Sequence, residues 1–250
     1  MSEATTTSRL VTLCFDANEP LRLARFWAHA LRWDIEVETD DEINDDEIGL
    51  VPTDSTTFDI LFLPVPGPKT TKNRIHLDLT TASVADQKET VASLVELGAR
   101  HIDIGQRADE GHVVLADPEG NEFCVIGPDN EFLADCERLG SITCDGTPEA
   151  GRFWSDALGW PLVWDQDGET ATRSPEGTGP FITSGPPVPP KTTKNRLHLD
   201  LAPPVDRDQL AEVGRLVALG ATHADIGQGS VTWVVLADPD GNEFCVLTPR

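Results

Sequence analysis

Six side chains able to do chemistry occur as two matching sets in this chain of 250 residues: His76, Glu122 and Cys124, then His198, Glu243 and Cys245. Imidazole is a common ligand of first-row transition metals, and it serves equally as a hydrogen-bonded interior group. Thiolate binds zinc, whereas a thiol without chemistry packs as a small buried hydrophobe. Glu122 and Glu243 stand two residues before the cysteines, on the same strand face but about 6 to 7 Å away along it. Ahead of each histidine lies a basic block, Lys69, Lys72 and Arg74 or Lys191, Lys194 and Arg196, holding six of only 19 basic residues. These groups could anchor an anionic ligand, with Arg74 and Arg196 as the binding residues, or pair with acidic neighbours and pin a crossover. Trp164 and Trp233 are candidates to line a cavity, while Trp27, Trp33, Trp154 and Trp160 suit packing of a helix on a sheet. There is no tyrosine, no glycine-rich phosphate loop and no Ser/His/Asp order with a nucleophile turn. His29, His101, His112 and His223 have no repeated partners and read as surface or packing residues.

The elements that must position these groups follow from an internal repeat. Residues 69–79 recur at 191–201 with an offset of 122, and residues 113–125 recur at 234–246 with an offset of 121. Arg25-Phe26-Trp27 recurs as Arg152-Phe153-Trp154 at an offset of 127, so the first copy carries about five extra residues, which the acidic stretch Asp40–Glu47 supplies as a solvated loop. Each copy reads as two successive strand-helix-strand-strand-strand units. In the first, an apolar strand at 10–15 leads to a helix over 21–31, whose Leu23, Phe26, Trp27, Ala30 and Leu31 share a face. Strands follow near 35–37, 48–51 and 58–65 before prolines break the pattern. The second unit opens at 74–79, with Ile75, Leu77 and Leu79 on one side and His76 and Asp78 on the other. A helix over 84–97 ends at Gly98, as its counterpart ends at Gly220. Strands near 99–104 and 112–115, a tight Asp-Pro-Glu-Gly-Asn turn at 117–121 and a last strand at 122–126 complete the unit.

This order, the Phe-Trp helix, the Asn-Arg-Ile-His-Leu-Asp-Leu strand and the Asp-Pro-x-Gly-Asn turn resemble the glyoxalase-like domains of the vicinal-oxygen-chelate superfamily. The resemblance covers nearly the whole chain, twice. It implies an α+β fold of four tandem βαβββ modules, each copy forming a cupped, barrel-like mixed sheet with helices outside: copy 1 at 1–128, a linker at 129–137 and copy 2 at 138–250. Metal-binding members of the superfamily take ligands from the first and last strands of each module, which implies His76 and His198 as ligand positions. The customary glutamate of the last strand is replaced by Cys124 and Cys245. The opening strands offer only Arg9 and Arg138, and Asp59 is matched by Phe181 in the second copy. Two protein ligands per site are then the expected maximum, which sets no cofactor ahead of a divalent metal such as zinc, nickel, iron or manganese. Two functions are implied for a small-molecule cup. One is a lyase or isomerase with His76, Glu122, His198 and Glu243 catalytic; the other is a protein of the bleomycin-resistance type that sequesters an antibiotic or metabolite without chemistry.

Composition excludes several partners. With 43 acidic and 19 basic side chains the formal charge is −24, which repels nucleic acid and anionic lipid. No apolar run approaches the roughly 20 residues of a membrane span, and residues 1–8 lack the basic and apolar parts of a secretory signal, so the expected location is cytoplasmic. Five cysteines, an odd number, are expected as thiols rather than a disulfide framework. A monomer and a homodimer are both open, since modules can pair within a chain or between chains.

Overall fold

The computed structural model of the protein describes residues 7–36, 47–106 and 110–250. Most of the acidic stretch Asp40–Glu47 lies outside the described residues, as do the first six positions. Four βαβββ modules follow one another. The first comprises β1 (Arg9–Ala17), α1 (Pro20–Leu31), β2 (Asp34–Ile35), β3 (Ile48–Val51) and β4 (Asp59–Pro64). The second comprises β5 (Ile75–Leu79), α2 (Val84–Glu96), β6 (Arg100–His101), β7 (His112–Ala116) and β8 (Glu122–Ile126). After a linker with one 3-10 turn at Glu131–Leu133 come β9 (Leu139–Asp145), α3 (Pro148–Leu158), β10 (Leu162–Gln166), β11 (Glu169–Thr172) and β12 (Phe181–Gly185). The last module holds β13 (Leu197–Ala202), α4 (Gln209–Ala218), β14 (Thr222–His223), β15 (Val234–Ala237) and β16 (Glu243–Val246).

Local chemistry sets the helix ends. Ser83, Thr147 and Asp208 cap α2, α3 and α4 by accepting from the backbone N–H three residues on. Gly98 and Gly220, at φ +106° and +117°, end α2 and α4 in the left-handed region that glycine enters without a Cβ penalty. The strand expected over 99–104 shrinks to Arg100–His101, because the rim strand finds ladder partners only at Ala116 and Leu115.

Four modules and two mixed eight-stranded sheets match the expected class, without a closed barrel. Their partnering differs from the expectation of one cupped sheet per copy. The first sheet runs β14-β15-β16-β13-β1-β4-β3-β2 and joins modules one and four; the second runs β10-β11-β12-β9-β5-β8-β7-β6 and joins modules two and three. Each sheet therefore mixes the copies. The antiparallel seams are β1 on β13 and β5 on β9.

What holds a copy together is instead helix packing across the two sheets. Trp27 of α1 is fully buried, with its ring 5.4 Å from Phe15 in the first sheet and 5.1 Å from Phe123 in the second. Its Nε1 donates to Asp117 Oδ2 at 3.1 Å, in the Asp-Pro-Glu-Gly-Asn turn before β8. Trp154 of α3 repeats this against Phe244 at 5.2 Å and Asp238 Oδ2 at 3.1 Å. One continuous apolar core results, containing the inner faces of both sheets. Replacing Asp117 by Ala should strand Trp27 Nε1 and the Asn121 amide in that core and lower the unfolding free energy by about 3 kcal/mol. Urea denaturation of Asp117→Ala beside Asp238→Ala checks this, the two losses being of similar size.

Candidate functional site

On the face of each sheet away from the helices, strand pairing gathers a histidine, a carboxylate and a thiol. Alternation places Asp78 beside His76 and Asp200 beside His198, because residues two apart on a strand share a face. The parallel neighbours bring Cys124 opposite Asp78 and Cys245 opposite Asp200. The antiparallel neighbours differ: Cys14 of β1 lies opposite His198, whereas Thr143 of β9 lies opposite His76. The outcome is two triplets, Cys14, His198 and Asp200 in the first sheet and His76, Asp78 and Cys124 in the second, each with its donor atoms within 4.8 Å of one another.

The triplets differ in how their polar atoms are satisfied. Asp78 Oδ2 accepts from the hydroxyls of Ser141 and Thr143, both at 2.6 Å. Asp200 Oδ2 accepts only thiol donors, Cys14 Sγ at 3.4 Å with Cys245 beside it. Asp200 Oδ1 and His198 Nδ1 are buried without a hydrogen bond among the described residues, and Asp200 Oδ1 lies 3.5 Å from His198 Nε2. Burial, then the nearby Lys194 charge, lowers His198 to about 3, so its imidazole is neutral at physiological pH. Burial raises Asp200 to about 6. The Cys14 and Cys124 thiols are pushed far up, first by burial and then by the adjacent aspartates, and stay protonated in the metal-free protein.

Glu122 and Glu243 are tied down. Glu122 accepts from Lys69 Nζ at 2.6 Å and from the Asn73 N–H at 3.1 Å, and Glu243 pairs with Lys191 and accepts from the Asn195 N–H in the same way. The basic blocks thus pin the crossovers between modules. Arg196 donates to Glu119 Oε2 at 2.9 Å and to the Asp16 carbonyl at 2.6 Å, while Arg74 has no such carboxylate among the described residues. Neither tryptophan proposed for a cavity joins a triplet. Trp164 lies on the rim strand β10 with its ring 6.3 Å from Phe132, which stacks on Phe181 at 4.6 Å, and Trp233 sits half-exposed just before β15. In the second sheet the triplet borders an apolar group in which Val114, Cys124, Ile126 and Phe181 meet Leu133 of the inter-copy linker.

Sequence comparison decides the family, for the profile of the glyoxalase-like domain matches residues 12–126 and again 141–247. The chain belongs to the glyoxalase-like domain family. The fold agrees: a putative dioxygenase of Bacillus subtilis superimposes with TM-score 0.63 at 14% identity over 99% of this chain and 87% of that one. Glyoxalase I of Zea mays gives TM-score 0.64 at 11% identity over 97% and 92%. No curated protein matches the chain in sequence. As a glyoxalase-like chain of the vicinal-oxygen-chelate superfamily it has His76 and His198 on the first strands of their modules, as the resemblance implied. Asp78, Asp200 and Cys14 were not singled out from the sequence. The shared face of His76 and Asp78 was legible there; Cys14 was not, because its neighbour His198 comes from the other copy. Among the described residues no helix is long and apolar enough to cross a membrane.

The two buried groups of the first triplet oppose one another in pH. His198 is held below its unfolded value of 6.5, so its contribution is complete above pH 6.5 and is lost as pH falls toward 3. Asp200 is held above 3.8, so its contribution is complete below 3.8 and is lost as pH rises through 6. Removing the histidine leaves only the second. His198→Gln should gain stability relative to wild type by about 1.4 kcal/mol per pH unit as pH falls from 6.5 to 4. Urea midpoints at several pH values test this, and a pH-independent difference would contradict a buried neutral imidazole.

Proposed function

We propose that this glyoxalase-like protein is a lyase or isomerase acting on a small organic molecule in the cup of the first sheet. Cys14, His198 and Asp200 would hold a divalent cation of the zinc, nickel, iron or manganese kind. The observation that carries this reading is the buried Asp200 Oδ1, which among the described residues has no hydrogen bond and faces only the neutral imidazole edge of His198, Nε2 at 3.5 Å. Buried polar atoms without hydrogen bonds are rare, and the other oxygen of Asp200 is held only by a long thiol bond from Cys14, where Asp78 Oδ2 accepts from two hydroxyls at 2.6 Å. The donor set fits such an ion: nitrogen, sulfur and oxygen within 4.8 Å of one another, one more protein ligand than the sequence alone supplied. When bound, the cation would supply Lewis-acid polarisation of a substrate oxygen.

The residues of the chain do the rest in this reading. The neutral imidazole of His198 is ready to ligate or to accept a proton, since burial keeps it unprotonated. Cys245 donates to Asp200 and holds the carboxylate in place, as Cys14 does until it gives up its proton to bind the cation. Lys194, paired with Asp16 at 2.6 Å, sets a positive charge near the histidine that disfavours its protonation. Glu122 and Glu243 remain assisting carboxylates only where a substrate competes with Lys69 and Lys191 for them. The free state of all five cysteines supports a reducing, cytoplasmic setting.

A second reading, sequestration without turnover, has its own support in the apolar group of Val114, Ile126 and Phe181 in the second sheet, with Phe132 and Trp164 at its edge. The deciding measurement is metal content of untagged protein by plasma mass spectrometry after incubation with each of the four metals. Wild type and His76→Ala should retain one ion per chain, and His198→Ala and Asp200→Asn should retain none. Protein that stays empty with every metal would remove the metalloenzyme reading and leave the sequestration reading standing.

A further inference from the structure

The two basic blocks meet each other at the junction of the sheets. They line a pocket of about 210 Å³ whose wall contains none of the triplet residues. The hydroxyls of Thr71 and Thr193, equivalent residues of the two copies, approach to 3.3 Å there. Five cationic side chains line it: Lys72, Arg74, Lys191, Lys194 and Arg196. Four have carboxylates among the described residues: Asp145 for Lys72 at 2.7 Å, Glu243 for Lys191, Asp16 for Lys194 at 2.6 Å and Glu119 for Arg196 at 2.9 Å. Arg74 has none. It is only 7% exposed, and its Nε and Nη2 are buried without an acceptor among the described residues.

The equivalent acidic residues of the two turns are used differently. Glu119 in the first Asp-Pro-x-Gly-Asn turn is long enough to bridge the Asn18 N–H and Arg196, whereas its counterpart Asp240 is spent on the N–H and hydroxyl of Thr147 and leaves Arg74 uncovered. A buried guanidinium without a counter-charge is unfavourable, and an oxyanion in the pocket that Arg74 lines would supply that charge.

We propose that this pocket is a binding site for one small oxyanion, of the phosphate or sulfate kind, seated on Arg74 with the hydroxyls of Thr71 and Thr193 as further donors. The anion replaces the carboxylate that Glu119 provides to Arg196. The site works by short-range contacts alone, because a chain of formal charge −24 repels anions at a distance. It shares Lys194 with the surroundings of His198 but contains no triplet residue, and it does not depend on a metal there.

Isothermal titration and thermal shift with inorganic phosphate and with sulfate, against chloride at the same ionic strength, test the proposal on the full chain. Wild type should bind one phosphate or sulfate per chain and melt at a rising temperature as the anion concentration increases. Arg74→Met should not bind. Asp240→Glu provides the internal carboxylate, so it should fold at least as stably as wild type without anion and bind phosphate about tenfold more weakly or worse. No specific phosphate or sulfate binding by wild type, or undiminished affinity in Asp240→Glu, would overturn the proposal even if Arg74→Met fails to fold.

Discussion

The carboxylate of Asp117 is removed entirely from water, and burial raises its pKa to about 6 even though four hydrogen bonds converge on it. Burying such a group is costly unless it is fully bonded, so the turn around it has little freedom. Trp27, the Asn121 amide and two backbone N–H groups are all held to one point. Asn121 in turn accepts from Asn73 at 3.0 Å, just before β5, and Glu122 accepts from the Asn73 N–H. The start of the histidine strand is therefore set by the same carboxylate that anchors α1. Asp238, Trp154, Asn242 and Asn195 repeat the arrangement.

That anchor explains how a copy can be one unit without owning a sheet. Its two modules meet through Trp27 and Phe123, or Trp154 and Phe244, while their strand edges remain free to pair with the other copy. Tandem duplication thus yields two sheets that are mosaics of both copies. The consequence for chemistry is direct, because each triplet's surroundings mix residues that were never neighbours in one repeat. Thr143 beside His76 and Cys14 beside His198 are equivalent places with different side chains, and the two sites diverge there.

Divergence at single positions recurs. A hydroxyl becomes a thiol, and Asp200 Oδ2 accepts a long bond from Cys14 where Asp78 Oδ2 accepts two short ones. A glutamate becomes an aspartate, and Arg74 loses the partner that Arg196 keeps. In both cases the repeat preserves the backbone while the interior hydrogen-bond account changes, and the imbalance falls where a ligand can correct it.

The sequence by itself determined the repeat, the module order, the helix stops at Gly98 and Gly220 and the strand face carrying His76 with Asp78, because these depend on periodicity and on residues close in the chain. It also marked the basic blocks, of which Lys69 and Lys191 pair with acids of their own modules while Lys72, Lys194 and Arg196 reach acids of the other copy. Only the tertiary structure decided which modules share a sheet, since the apolar faces of all four are alike and either pairing buries them. Cys14, the third member of the first triplet, waited on that decision, whereas His76, Asp78 and Cys124 all come from one module. Cys14 meets His198, and the two basic blocks meet each other, across separations of more than a hundred residues that no local pattern encodes.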